Sequence, residues 1–108
     1  MSDLASTFAA LGEPTRFAIV ERLLREGELN AGSLQKGVHI SAPAISRHLK
    51  ILRNAGIVVQ RIDKQQRIYS VRPETVQAIS AWTMSHKEFW QTSFDRLAAM
   101  LDKETDRI

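Results

Sequence analysis

The 108-residue sequence predicts a mainly α-helical fold carrying one small β-hairpin. Three observations carry that expectation. Apolar residues recur at steps of three or four before residue 57 and again after residue 73, the period of helices with one buried face. Between those stretches, Ile57-Val58-Val59-Gln60-Arg61-Ile62 and Arg67-Ile68-Tyr69-Ser70-Val71 are β-rich runs around the polar tetrapeptide Asp63-Lys64-Gln65-Gln66, the pattern of a hairpin. Glycine, proline and short polar residues punctuate the rest where helices must begin and end.

Taken in order, Leu4, Phe8 and Leu11 mark a first helix that Gly12 ends. Pro14 suits the first turn of a second helix, where its missing N–H costs nothing. Phe17, Val20, Leu23 and Leu24 supply the buried stripe of that helix, and Gly27 closes it. Asn30 is placed to cap a short third helix running through Leu34. Gly37 and His39 fall in the tight connection that follows, where His tolerates left-handed backbone better than most non-glycine residues. Ser41 caps a fourth helix, Pro43 sits in its first turn, and Gly56 stops it. From Pro73 to about Ile108 the pattern is helical once more, with Ile79, Trp82, His86, Trp90, Phe94, Leu97 and Leu101 in register along a fifth helix. No linker, repeat or low-complexity segment divides the chain, so residues 1–108 are expected to form a single domain.

The fourth helix is the most informative segment. At about 100° per residue, Ile45, Leu49 and Leu52 gather on one side. Pro43, Ser46, Arg47, Lys50 and Asn54 gather toward the other. A core helix needs only the first set. The second is what a helix needs in a DNA major groove, with short side chains for close approach and long cations for guanine edges and phosphates. Two short helices joined by a tight turn form a helix-turn-helix, and a hairpin directly after the cationic helix is a wing. The fold expected is therefore a winged helix-turn-helix of five helices plus the wing.

Charge agrees. The net charge is +3, but residues 41–72 hold seven cations against Asp63 alone, and the remainder holds eight basic and eleven acidic residues. A basic middle in an acidic frame is the footprint of a nucleic-acid surface. The expected DNA-binding residues are Ser41, Ala42, Pro43, Ser46, Arg47, Lys50 and Arg53 on the helix, and Arg61, Lys64 and Arg67 on the wing. Arg47 is the first choice for a base contact. Lys50 and Arg53 are placed to clamp phosphate, and the wing cations to hold the sugar-phosphate backbone beside the groove.

The final stripe, with both tryptophans, is wider than one small domain needs to cover its core. It is expected to seal a two-fold homodimer through Ile79, Trp82, His86, Trp90, Phe94 and Leu97, joined by Leu4 and Phe8 of the first helix. His86 is expected to pack between Trp82 and Trp90, and His48 to hydrogen-bond within the helix-turn-helix.

Several functions are excluded or disfavoured. Without cysteine there is no disulfide, thiolate metal site, thiol redox sensor or cysteine catalysis. No signal-peptide pattern or membrane-length apolar run is present, so a cytoplasmic protein with no membrane contact is expected. An enzyme is not expected: Ser46 and His48 lie two apart on a helix and face different ways, and no glycine-rich phosphate loop exists.

Three blocks, Leu11-Gly12-Glu13-Pro14-Thr15-Arg16, Ser41 through Lys50 and Leu52-Arg53-Asn54-Ala55-Gly56-Ile57-Val58, resemble the arsenic-repressor-type (ArsR/SmtB) transcriptional regulators in content and order. The Arg67-Ile68-Tyr69 step and the segment His86-Lys87-Glu88-Phe89-Trp90 are similar too. The resemblance spans nearly the whole chain and implies a winged-helix homodimer that binds inverted-repeat operators in double-stranded DNA and represses nearby genes. Metal-sensing members commonly carry a Cys-x-Cys pair where this chain has Asn30-Ala31-Gly32. Others place Asp and His zinc ligands on the final helix, where this chain has His86 and Asp95 nine residues apart. Zinc wants three or four ligands. No metal or other cofactor is therefore expected. Many members carry Gln at the position of Ala42, whose methyl instead suits a thymine methyl. Two further readings stay open: a metal or small-molecule sensor of the same fold, and a winged-helix protein-interaction module.

Overall fold

A computed structural model describes residues 3–106. The elements run α1 (Leu4–Leu11), α2 (Pro14–Glu26), β1 (Leu29–Asn30), α3 (Ala31–Gln35), α4 (Ala42–Asn54), β2 (Val58–Asp63), β3 (Gln66–Val71), α5 (Pro73–Ser85) and α6 (Lys87–Asp106). The described residues fall into two compact units, one extending to Val76 and one beginning at Gln77.

The starts of α1 to α4 are each capped by their own sequence. The side chains of Asp3, Glu13, Asn30 and Ser41 accept hydrogen bonds from the backbone N–H of Ser6, Arg16, Ser33 and Ala44, meeting donors that a helix leaves unpaired. The end of α4 is a Schellman motif: Ile57 N–H donates to the Leu52 carbonyl and Gly56 N–H to the Arg53 carbonyl, both at 3.0 Å. That geometry needs a left-handed residue, and Gly56 supplies it at φ 77°. The apolar contact that accompanies the motif is Leu52 with Ile57, both fully buried.

The core comprises Ala10, Ile19, Val20, Leu23, Leu34, Ile45, Leu49, Leu52, Ile57, Val58 and Tyr69. Thus α4 buries the stripe its periodicity assigns. In α2 the stripe is rotated from the expected one. Phe17 and Leu24 are half-exposed, and Ile19 is buried beside Val20 and Leu23. An apolar set covering more than half of a helix circumference does not by itself choose its inner side; the packing of α1, α4 and β3 against α2 does. Arg22 on α2 donates to the carbonyls of Leu34 and Lys36, satisfying the end of α3 and fixing that helix on α2.

The wing is a three-stranded antiparallel sheet in the order β1-β3-β2. The hairpin register runs from Val58↔Val71 to Asp63↔Gln66, and β1 adds Leu29↔Tyr69 and Asn30↔Ile68. Two residues are too short for β1 to show any alternation in sequence. The connection narrows from the expected tetrapeptide to Lys64-Gln65, because Asp63 and Gln66 pair. A two-residue hairpin needs positive φ at its first central position. Lys64 adopts it, at φ 60°. Among the described residues Lys64 is the non-glycine residue that does so, whereas His39, expected to tolerate it, does not.

The expected fifth helix is two helices, making six among the described residues. At the break, the Trp82 carbonyl is taken by Ser85 Oγ at 2.7 Å and His86 Nδ1 at 2.8 Å. His86 N–H turns instead to Thr83, one residue nearer than an α-helix would use. Side chains compete with the backbone for one acceptor, and the helix restarts.

Candidate nucleic-acid interface

The recognition-like helix α4 is anchored at three points. Its inner face, Ile45, Leu49 and Leu52, is at most 1% exposed. Its middle is tied to α1 and α2 through Arg16, whose Nε donates to the Ala10 carbonyl at 2.7 Å and whose Nη1 lies 3.4 Å from His48 Nδ1. Arg16 is the donor there, so Nδ1 accepts and the ring proton sits on Nε2. Glu13 lies 3.8 Å from the same nitrogen. The Arg16 backbone N–H, more than any charge, holds the Glu13 carboxyl below the usual carboxylate range. His48 thus hydrogen-bonds to α2, outside the helix-turn-helix of α3 and α4 in which its partner was expected. Its end is fixed by the Schellman turn, which leads into β2 without a loop. A helix so held cannot slide or roll independently of the wing.

The outer face of α4 is open. Ser41, Ala42, Pro43, Ser46, Arg47, Lys50 and Arg53 are all exposed, as are Arg61, Lys64 and Arg67 on the wing. Relative to Ile45, the residues Pro43, Arg47, Lys50 and Asn54 lie within about 40° of the opposite direction; Ser46 and Arg53 stand near a right angle to Ile45, and Ala42, in the first turn, about 60° from it. Among the described residues, Arg47, Lys50, Arg53, Lys64 and Arg67 make no ion pair. Five cations without carboxylate partners, spread over one helix face and the adjoining hairpin, present positive charge that no internal contact neutralises.

Arg61 differs. Its Nε and Nη2 donate to the two carboxylate oxygens of Glu28 at 2.7 and 3.2 Å, and Asp63 lies 4.0 Å from Nη1. The Arg61 hydrogen bond holds the Glu28 carboxyl low, and the same bond pushes the Arg61 guanidinium up. Sequence reading missed Glu28 as a partner because it stands immediately before β1, the strand whose pairing was invisible. It also passed over Ile62, which is 69% exposed and pairs with Arg67 near the wing tip.

In the second unit, the stripe residues are open in the isolated chain. Trp82, Trp90, Phe94 and Leu97 are 43%, 38%, 64% and 52% exposed, His86 is exposed and Ile79 is half-buried. In the first unit, Leu4 is half-buried and Phe8 is 41% exposed. His86 stacks at 49° against Trp82, with ring centroids 5.1 Å apart. Trp90 meets Phe89 edge-on, so His86 is not sandwiched by both tryptophans. Its Nδ1 faces a carbonyl, which only accepts, and therefore carries the proton. Among the described residues, no three His, Asp or Glu side chains cluster as metal ligands. No helix among them is long and apolar enough to cross a membrane.

Comparison with known proteins agrees with this geometry. Residues 13–59, which contain α2 through the start of β2, match the family model described as bacterial regulatory protein, arsR family. The HTH-type transcriptional regulator Rv2034 of Mycobacterium tuberculosis is 36% identical over 97 residues, covering 90% of this chain and 87% of that protein. The transcriptional repressor SdpR of Bacillus subtilis is 32% identical over 80 residues, covering 74% of this chain and 88% of SdpR. A crystal structure of an ArsR family transcriptional regulator superposes with a TM-score of 0.74 at 28% identity, covering 82% of this chain and 96% of the other. These relatives are regulators and not enzymes. The chain belongs to the arsR family of bacterial regulatory proteins and is a winged helix-turn-helix, DNA-binding transcriptional regulator.

Proposed function

We propose that the protein is a metal-independent homodimeric repressor, acting in the cytoplasm on an inverted-repeat operator. The observation that carries this reading is the set of five unpaired cations on the outer face of α4 and the wing. In this reading Arg47 reads a base edge, with Ser46, Pro43 and Ala42 close enough to the groove floor to shape the fit. Ser41 sets the start of the helix against the phosphate backbone. Lys50, Arg53, Lys64 and Arg67 neutralise phosphates, fixing register without reading sequence.

Dimerisation is supported by the apolar side chains left open on α5 and α6. An isolated chain exposing Trp82, Trp90, Phe94 and Leu97 gains by covering them, and Leu4 and Phe8 offer further apolar area. A second copy covers such a face with two-fold symmetry, which places two recognition helices in successive major grooves about 34 Å apart. Repression is supported by relatives whose names say so, SdpR among them. Independence from metal is supported by the donor set: the chain has no cysteine, and among the described residues no three His, Asp or Glu side chains gather as the ligands zinc wants.

Selection of random duplexes by the purified protein, followed by sequencing of the retained pool, tests the reading. An enriched inverted repeat with half-sites about one helical turn apart is expected. A pool without an enriched motif overturns it. Loss of binding on adding micromolar zinc overturns the metal-independent part alone.

A further inference from the structure

The wing carries three cations, yet one of them is engaged. Arg61 is held by both oxygens of Glu28, and Asp63 stands beside it. Arg67, Lys64, Lys50, Arg53 and Arg47 have no such partner among the described residues. The arrangement crosses the sheet. Arg61 pairs with Ile68, which in turn pairs with Asn30, so Arg61 must reach over β3 to meet the residue just before β1. A bidentate carboxylate uses the same planar fork of N–H donors that a phosphate would use. Glu28 and a DNA phosphate therefore compete for one group.

We propose that Glu28 restrains sequence-independent DNA binding by occupying the Arg61 guanidinium, so that the wing meets the backbone with less than its full charge. The proposal rests on the DNA-binding reading and adds a residue that never touches DNA. Its effect is electrostatic and uniform over sequences, because backbone charge carries no sequence information. Both partners are half-exposed, so the pair contributes little to folding and its role lies in what it withholds.

The test is Glu28→Gln, which keeps the shape and removes the charge. Affinity is measured by fluorescence anisotropy on the selected duplex and on an unrelated duplex, at salt from 50 to 200 mM, for wild type, Glu28→Gln, Arg61→Ala and the double variant. Glu28→Gln is expected to bind both duplexes more tightly at 50 mM. For a dimer gaining two phosphate contacts, log K against log salt steepens by about 1.8, so the advantage shrinks about tenfold by 200 mM. Arg61→Ala is expected to abolish that gain in the double variant. Thermal unfolding of Glu28→Gln close to that of wild type excludes a folding origin. Unchanged or weaker binding by Glu28→Gln, or a gain that survives Arg61→Ala, overturns the proposal while leaving DNA binding intact. Wild-type protein that binds neither duplex at 50 mM overturns the DNA-binding reading itself, and this proposal with it.

Discussion

In the proposed reading, Lys64→Ala isolates one phosphate contact with little collateral change. Lys64 is at the tip of the wing, exposed, with no ion pair among the described residues. Alanine keeps the Cβ, so the backbone at φ 60° is as strained after the substitution as before. With Arg47 left to a base edge and Arg61 to Glu28, the proposed reading sets four unpaired cations per chain against the backbone: Lys50, Arg53, Lys64 and Arg67. A dimer then neutralises about eight phosphates, and at about 0.9 per contact the slope of log K against log salt is about −7. Removing Lys64 from both subunits brings it to about −5. Between 50 and 200 mM salt the wild type loses about four decades of affinity and the variant about three. Anisotropy titrations of a labelled duplex at several salt concentrations measure the two slopes. Lys64→Gly supplies the control: it removes the same charge while relieving the strained φ, so it should bind like the alanine variant and unfold at a higher temperature. An unchanged slope, or a loss confined to one operator sequence, refutes the phosphate role.

Other substitutions probe the remaining parts of the structure. Arg47→Ala should cost about 1–3 kcal/mol of operator binding and relax preference at one base position, read by repeating the duplex selection; unaltered preference everywhere argues that another residue reads the bases. Phe94→Glu, at a side chain 64% exposed in the isolated chain, should shift the protein to monomer in light scattering while leaving the helix content seen by circular dichroism intact. Gly56→Ala forces a Cβ onto a residue at φ 77° and should lower stability by about 1–2 kcal/mol; a neutral result would mean the turn after α4 relaxes freely. The carboxyls of Asp3, Glu13 and Glu28 all sit below their ordinary range, chiefly through the Ser6 N–H, the Arg16 N–H and the Arg61 side chain respectively. Their contribution to stability is therefore complete above the unfolded carboxylate pKa, about 4, and is lost as pH falls through the lower folded values. Melting temperature should hold steady from pH 7 to about 5 and fall below about 4, with a shallower fall in Glu13→Gln.

Most of the open cationic face was legible because it is written locally. A helix turns by a fixed angle, so the stripe Ile45, Leu49, Leu52 and the cations opposite it are properties of the residue order alone. The caps Asn30 and Ser41 and the stop at Gly56 are likewise decided within four residues of where they act. The division of the last helical stretch at His86 was local too, but it depended on rotamers: Ser85 and His86 turn back to one carbonyl, and nothing in the spacing of apolar residues announces that.

By itself, then, the sequence determined the order of the first four helices, the hairpin, the inner and outer faces of α4 and the family, since each depends on short-range geometry or on a motif read in line. Tertiary structure decided what long-range contact decides. It chose Ile19 over Phe17 and Leu24 as the inner side of α2, because an apolar set that wide has no preferred direction until neighbours pack on it. It drew the two residues of β1 onto β3, a pairing across nearly forty positions with no periodicity to betray it. That pairing fixes the chain just ahead of β1, where Glu28 meets Arg61. It is why one cation of the wing is held while five others of the interface stand open.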